Sequence, residues 1–487
     1  MPNVLAYLPR DEVFTALSVL WGAYVVVLAG WIVLQKRSPE ATMGWLLALA
    51  ALPYVGFFIY YFFGPQRLRK QRLRRLRSQA SLQGQRDVRA LRQAGAAQAL
   101  DARHQLWQLV QLGFVTGEYP VATAERVDLL VGGAATFDAI FDAIRAARHH
   151  VHAEYYIFEP DRIGTALRDL LIAKARAGVT VRLLVDALGS QRLGWRFLQP
   201  LRDAGAQVAL FHSVRIGRRL RPVTNYRTHR KIVVCDGCVG FTGGVNITDE
   251  EDRRTRADAY HDVHLRIVGG ATRNLQMVFL EDWVYATGMQ AGRLQDMPRL
   301  LPEVPPGPHA LQIVASGPDN PSEPIHRMQV EAIHAARERV WLTTPYFVPT
   351  EPALMALTSA ALRGVDVRIL VPRRSDSALV SAAARSYYDE LLAAGVRIWE
   401  YRARMLHSKT LVVDGLCAFI GTANFDTRSF RLNYEVCAVA YGDALSSALA
   451  AQFEADLRSA APVRRDKSQP LPHRLAEALA RLCSPVL

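Results

Sequence analysis

The chain has 487 residues, half of them hydrophobic, with 59 Lys+Arg against 45 Asp+Glu and a formal net charge of +14. That length suggests two or three domains, and the composition excludes a disordered, collagen-like or mucin-like chain and a polytopic transporter. The positive balance points to an anionic partner, either nucleic acid or an anionic membrane surface. Only six of the basic residues are lysine, so each lysine is a position to inspect. The five cysteines, Cys235, Cys238, Cys417, Cys437 and Cys483, are odd in number and in no zinc spacing. They read as free thiols of a reducing compartment.

The N-terminus reads as a membrane hairpin. Residues 13–34 form 22 positions without a charge, and residues 41–66 form 26 more. Each exceeds the roughly 20 apolar residues that span a bilayer as a helix. A cleaved signal peptide is the rival reading of the first run. Against it, Arg10 is followed by Asp11 and Glu12, and no small-residue cleavage site follows. Pro53 is tolerable inside a membrane helix. Residues 67–77 then carry seven basic residues in eleven, whereas the basic residues of the loop between the runs are Lys36 and Arg37. The positive-inside rule puts both the N-terminus and everything after residue 66 in the cytoplasm. The basic run could instead be a nucleic-acid arm. Its place against a span favours a stop signal lying on anionic headgroups. Residues 78–110, rich in Arg, Gln and Ala, read as a helical linker.

From about residue 118 apolar strands alternate with Ala-rich helices, and the pattern is written twice. Ala143 to Phe158 (helix, then strand) matches Ala332 to Val348. Gly178 to Val185 matches Gly364 to Val371, and Ala204-Gly205 matches Ala394-Gly395. A repeat of this length is a domain duplication, not a solenoid, and predicts an α/β sandwich in each copy. Five prolines between 298 and 308 mark a linker. The expected organisation is a hairpin at 1–66, a basic juxtamembrane segment at 67–117 and a first lobe at 118–295. A linker at 296–310, a second lobe at 311–465 and a C-terminal tail at 466–487 complete it.

The chemistry lies at matching places in the copies. His229-Arg-Lys231 is followed by Asp236, and His407-Ser-Lys409 by Asp414, at an offset of 178 that also links Asn246 with Asn424. In a strand, residues i and i+2 share a face, so each His and Lys would point together. Two such strands could bring four side chains to one pocket. One imidazole could attack as a nucleophile while the other protonates the leaving oxygen. Lys231 and Lys409 offer compact ammonium groups, and Asn246 and Asn424 neutral donors, to phosphate oxygens. The charge of a pentacoordinate phosphorus would thus be held without a metal. His149, His150, His152, His212 and His334 read as structural histidines. Asp236 and Asp414 each stand before a glycine, so a turn role competes with a catalytic one. Asp262 and Glu435 precede apolar strands at equivalent places. Either a carboxylate there fixes the tautomer of a catalytic His, or it is a surface acid at a strand start. Arg215, Arg218, Arg219, Arg221, Arg227 and Arg230 could draw anionic headgroups to the pocket, or form an ordinary solvated loop.

The doubled His-x-Lys-x4-Asp with its trailing Gly and Asn resembles the phospholipase D superfamily. The N-terminal runs, Glu154-Tyr-Tyr-Ile-Phe158, Leu184 to Ser190, Asn225 to Lys231, Thr242 to Asn246 and Gly421 to Ser429 narrow the resemblance to the bacterial cardiolipin synthases, over roughly residues 13–460. That resemblance implies two phospholipase D-like α/β sandwich lobes about a pseudo-two-fold axis, preceded by two transmembrane helices of a bacterial inner membrane. It implies transphosphatidylation between two phosphatidylglycerols through a phosphatidyl-histidine, with no metal or other cofactor and no nucleic-acid partner. Carried onto this chain, His229 is the nucleophile and His407 the acid and base. Lys231, Lys409, Asn246 and Asn424 hold phosphate, and the Thr422 hydroxyl joins them where the first copy has Gly244. Glu435 matches the family's His-orienting acid, and Asp262 takes that place in the first copy, five residues further from its His. Asp236 and Asp414 fall outside the reaction centre. A membrane phospholipase D releasing phosphatidic acid, and a superfamily nuclease, are the rival activities.

Overall fold

The computed structural model describes residues 10–34, 39–52, 106–212, 226–289, 294, 297–464 and 470–487. These divide into two compact units, the N-terminal helices and the rest of the chain. The first unit contains helices Arg10–Val33 and Pro39–Ala51. Among the described residues no helix is long and apolar enough to cross a membrane. The two spanning helices expected from the sequence are therefore not established by the structure. Most of the second apolar run, the basic run 67–77 and most of the expected linker lie outside the described residues, as do Arg215, Arg218, Arg219 and Arg221.

Among the described residues the larger unit carries 18 strands. They are β1 (Ala122–Ala124), β2 (Arg126–Val131), β3 (His150–Tyr155), β4 (Thr180–Asp186), β5 (Gln207–Phe211), β6 (Lys231–Cys235), β7 (Val239–Gly243), β8 (Val263–Val268) and β9 (His309–Ser316). The second half adds β10 (Arg339–Thr343), β11 (Phe347–Val348), β12 (Asp366–Pro372), β13 (Arg397–Tyr401), β14 (Thr410–Val413), β15 (Cys417–Gly421), β16 (Phe425–Asp426), β17 (Glu435–Tyr441) and β18 (Ala460–Pro462). One sheet runs β2-β8-β7-β6-β3-β4-β5, and seven strands of the other run β9-β17-β15-β14-β10-β12-β13 in the matching order. The duplication read from the sequence is thus a duplication of topology.

In both sheets the central β3/β10 pairs in parallel with β4/β12 and antiparallel with β6/β14. Strands covered on both faces read as continuous apolar runs, and β3 and β6 are buried at every position. The covering helices show the matching spacing: Phe137, Ile140 and Ile144 form the buried stripe of helix Gly133–Ala146. The following helix, Arg162–Arg176, starts where the Asp161 side chain accepts from Gly164 N at 3.0 Å.

Two features depart from simple tandem lobes. Strand β1 pairs antiparallel with β9 of the second sheet, and Leu109 and Val110 of helix Trp107–Gly117 join the second lobe's core beside Ile325 and Met328. Residues 107–124 therefore belong with the second lobe, although 118–124 were expected in the first. Helix Ala271–Thr287 is buried along nearly its whole length, because it packs between the sheets. Its Leu275, Val278, Phe279 and Trp283 share one core with Ile232 and Leu265 of the first lobe and Ile313, Ile420 and Val436 of the second. This apolar seam fixes one lobe against the other, and so fixes the distance between the two halves of the site.

Candidate active site

Each catalytic histidine lies just before a strand rather than within it: β6 begins at Lys231 and β14 directly after Lys409. What holds these extended residues is the opposite lobe. Thr228 forms a parallel bridge with Tyr434, and Leu406 one with His261. His229 N donates to Tyr434 O at 2.9 Å and Tyr434 N to Arg227 O at 2.8 Å. His407 N donates to His261 O and His261 N to Met405 O, both at 2.8 Å. The two exchanges are related as a two-fold axis would relate them.

Those bridges carry the orienting acids across the lobe boundary. His229 Nδ1 lies 3.0 Å from both carboxylate oxygens of Glu435, and His407 Nδ1 lies 2.6 Å from Asp262 Oδ2. Pairing within each copy, as the sequence order suggested, is thus replaced by pairing between copies. All four side chains are buried. Burial pulls the His229 imidazole down to about 4, against the pull of Glu435. His407 is lowered by burial and by the Lys409 charge. Against their own burial, both acids are held below the usual carboxylate range, Glu435 chiefly by His229 and Asp262 chiefly by Lys409 and His407. Neutral imidazoles therefore face ionised acids, and Nδ1–H donation leaves Nε2 of each ring free to act.

Lys231 Nζ donates to His229 O at 2.8 Å, and Lys409 Nζ to His407 O. Each ammonium thus hangs from its own histidine's carbonyl with two donors left over. Burial and the mutual repulsion of the two ammonium groups pull Lys231 down to about 7, and burial lowers Lys409. An anion between them would relieve that repulsion. Asn246 and Asn424 are buried, and Oδ1 of each has no hydrogen-bond partner among the described residues. Because amide O and N are assigned by their surroundings, this open atom can meet either a phosphoryl oxygen or a hydroxyl. Thr422 Oγ1 donates to Glu435 Oε2, so its hydroxyl supports the acid instead of pointing to a phosphate. Gly244, its counterpart, is compulsory: a Cβ there would stand 2.1 Å from Asp262 Oδ1.

Asp236 and Asp414 are not brought to this cluster. Each occupies the first position of an Asp-Gly hairpin turn with positive φ, 53° at Asp236 and 55° at Asp414. Asp236 accepts from the backbone N–H groups of Arg148, His149 and His150 at 2.8–2.9 Å. Asp414 accepts from those of Arg337, Glu338 and Arg339 at the same distances. Both aspartates pin the helix-to-strand corner before β3 or β10, at the far end of the strand from the imidazole. Arg227 and Arg230 are not a solvated basic loop either. Both are buried, Arg227 lying 3.7 Å from Asp186 and Arg230 bonding Asp282 and Ser316 O.

The sequence reading missed Glu251. It is fully buried; its Oε1 accepts from Asn246 N at 3.1 Å and stands 4.0 Å from His407 Nδ1. Burial and the neighbouring Asp262 charge push its carboxyl up to about 8, so it carries a proton at neutrality. Its counterpart, five residues after the other asparagine, is Ser429, whose Oγ accepts from Asn424 N at 3.1 Å. Comparing residues five positions after each Asn was the signal that could have found it. Glu251, Asp262 and His407 bring ligand atoms within 4.8 Å of one another, a spacing a cation could use. Lys409 Nζ, 3.8 Å from Asp262 Oδ2, already places positive charge there.

A family model described as cardiolipin synthase, PLD-like domain, matches residues 140–258 and again 330–457. A second, described as phospholipase D-nuclease N-terminal, matches residues 22–65. A cardiolipin synthase of Geobacillus sp. (strain WCH70) is 42% identical over 483 residues, covering 98% of this chain and 95% of that protein. The chain belongs to the cardiolipin synthase family. Cardiolipin synthase 1 of Bacillus anthracis is 38% identical, covering 98% of this chain and 95% of its own. Among solved structures, the phosphatidylserine synthase of Haemophilus influenzae Rd KW20 aligns with a TM-score of 0.57 at 14% identity, over 78% of this chain and 100% of that one. That likeness shows the fold. Each match of the cardiolipin synthase model contains one His-x-Lys and its asparagine.

Proposed function

We propose that this member of the cardiolipin synthase family joins two phosphatidylglycerols into cardiolipin, releasing glycerol, through a phosphatidyl group carried on His229. The observation that carries this reading is the pair of buried imidazoles, each oriented by an acid of the other lobe, beside two buried ammonium groups. The phosphodiester sits between Lys231 and Lys409, whose charge it restores. The Nε2 lone pair of neutral His229 attacks phosphorus as His407, which enters this step as the imidazolium with Nδ1–H on Asp262, gives its Nε2 proton to the departing glycerol oxygen. A hydroxyl of the second phosphatidylglycerol then gives its proton to His407 and displaces His229. His407 is the better proton carrier because two acids face it, Asp262 at 2.6 Å and Glu251 at 4.0 Å. Glu435, by contrast, is shared between His229, Thr422 and Asn433. Excluding water in favour of a lipid hydroxyl is what separates transfer from hydrolysis.

The same proposal places the apolar N-terminal runs in a bacterial membrane, with the lobes on its cytoplasmic side. Two uncharged runs of spanning length, the seven basic residues of 67–77 and the N-terminal family match support it. Incubating the purified protein with labelled phosphatidylglycerol alone tests the activity. Cardiolipin and glycerol are the expected products; phosphatidic acid without cardiolipin would mean a phospholipase.

A further inference from the structure

The segment read from sequence as a tail contains helix Leu471–Leu482, and it is mounted inside out. The side it turns to the protein is small and polar. Ala480 is buried, Glu477 accepts from Arg385 at 3.1 Å, Arg481 Nη1 donates to Ser386 O at 3.3 Å, and beyond the helix end Ser484 bonds Tyr387 Oη at 2.9 Å. The opposite side is a leucine stripe at helical spacing. Leu471, Leu475, Leu479 and Leu482 are 74, 57, 56 and 76% exposed. Together they show roughly 400–500 Å² of apolar surface, in the range where the largest exposed patch of a monomer is often functional. Arg474 and Arg481 lie together along one edge of the stripe, about 100° from its centre at 100° per residue; Arg474 is exposed, and Arg481 turns back onto Ser386 and Tyr387.

The place of this helix in the fold says what the partner is. It packs on helix Ala378–Arg385, which follows β12 and is capped by Ser377. The adjoining Asp376 accepts from Tyr346 Oη at 2.7 Å and acts electrostatically on Lys409. The helix pair therefore begins at the rim of the site. At the equivalent place in the first lobe, after β4, Leu188 is 45% and Trp195 69% exposed, and Arg192 and Arg196 beside them are also exposed. Apolar side chains bordered by arginines thus stand on this connection in the first lobe and on the helix packed against its counterpart in the second. That is the surface an interfacial helix offers to anionic headgroups, with leucine and tryptophan below and arginine above.

We propose that the leucine face of helix Leu471–Leu482 lies in the headgroup–acyl boundary of an anionic bilayer and turns the rim beside Asp376 toward its lipid substrates. This rests on the reading of the protein as a lipid phosphatidyltransferase. The bilayer is preferred to a second copy of the chain because arginines line one edge of the stripe and because an apolar patch bordered by arginines recurs beside the other half-site.

The test uses the full chain with Cys238 and Cys483 replaced by serine, the remaining three cysteines being buried. A polarity-sensitive fluorophore is attached at Leu475→Cys or Leu479→Cys, and the protein is reconstituted into vesicles containing phosphatidylglycerol. The expected result is a blue-shifted probe quenched by lipids brominated on the acyl chain. A probe that stays in water overturns the proposal. So does one that is shielded but unquenched, which would mean a protein occupant such as a second copy. Cardiolipin formation is measured in the same vesicles, so a water-exposed probe with full synthesis rejects the docking alone, and absent synthesis rejects the activity. In a second arm, Leu475→Ser with Leu479→Ser lowers the ratio of rates on vesicles and on monomeric short-chain phosphatidylglycerol by roughly tenfold. An unaltered ratio contradicts the proposal.

Discussion

The two lobes share one strand order but not one site chemistry. Around His229 stand Glu435, Thr422 and Asn433, a single carboxylate held by two neutral donors. Around His407 stand Asp262, Glu251 and the bare backbone of Gly244, two acids with one proton between them. Gene duplication supplied the symmetric frame, and a handful of side chains broke the symmetry of proton inventory. A half-site with an ionised acid and a neutral ring suits attack on phosphorus. A half-site with a spare proton suits delivery to the leaving oxygen and recovery from the incoming one.

The sharpest way to break this comparison is through the crossed acids. Glu435→Gln and Asp262→Asn are each expected to lower turnover by about 10²–10⁴. They should part when the leaving group no longer needs a proton. On a phosphatidyl nitrophenyl ester Asp262→Asn recovers most of its rate and Glu435→Gln does not, because only Glu435 serves the nucleophile. Recovery by Glu435→Gln instead would show that the acids act within their own lobes.

A smaller effect concerns the ammonium pair. Burial and the Lys409 charge pull Lys231 down to about 7, and a bound phosphodiester pulls it back up. The affinity for a phosphonate analogue of phosphatidylglycerol is therefore constant below about pH 6. Above pH 7 it weakens by up to about tenfold per pH unit until the bound-state value is reached. Titration calorimetry from about pH 6 to about pH 9 checks this, and a flat profile contradicts it.

Glu251→Gln separates the halves more gently. Glutamine mimics the protonated carboxyl, so the rate near neutrality changes only a few-fold. The wild type loses rate as Glu251 ionises beside Asp262 above about 8. The variant lacks that alkaline limb, and a limb retained in it would assign the titration elsewhere. The smallest effect on chemistry is expected at the turns. Asp236→Ala and Asp414→Ala lose three backbone hydrogen bonds each and cost about 1–3 kcal/mol of stability, read as a lower Tm. Their rates per folded molecule change less than those of any site variant.

What the sequence made legible was whatever repeats locally. The doubled His-x-Lys, the trailing asparagines, the Asp-Gly turns and the alternation of strand and helix each fall within a few residues, so spacing alone exposes them. What it hid was tertiary. Glu435 and His229 are 206 positions apart, and nothing in their spacing says that a bridge between Thr228 and Tyr434 will join them. Glu251 sits in an acidic run beside Asp249 and Glu250, which reads as solvated surface, and its counterpart Ser429 carries no charge to draw attention. Arg227 and Arg230 read as surface charge because burial of an arginine depends on partners such as Asp186 and Asp282, each more than forty positions away. Strand β1 follows the same rule: its sequence places it in the first lobe, and pairing with β9 places it on the second sheet.

The division of labour between the halves is tested most directly by trapping the covalent intermediate. His407→Ala and His229→Ala proteins are mixed with phosphatidylglycerol, quenched, digested and read by mass spectrometry under conditions that preserve phosphohistidine. A phosphatidyl adduct on His229 in the His407→Ala protein, with none in the His229→Ala protein, is the predicted result. An adduct on His407 in the His229→Ala protein, with His229 unmodified in its counterpart, would contradict it.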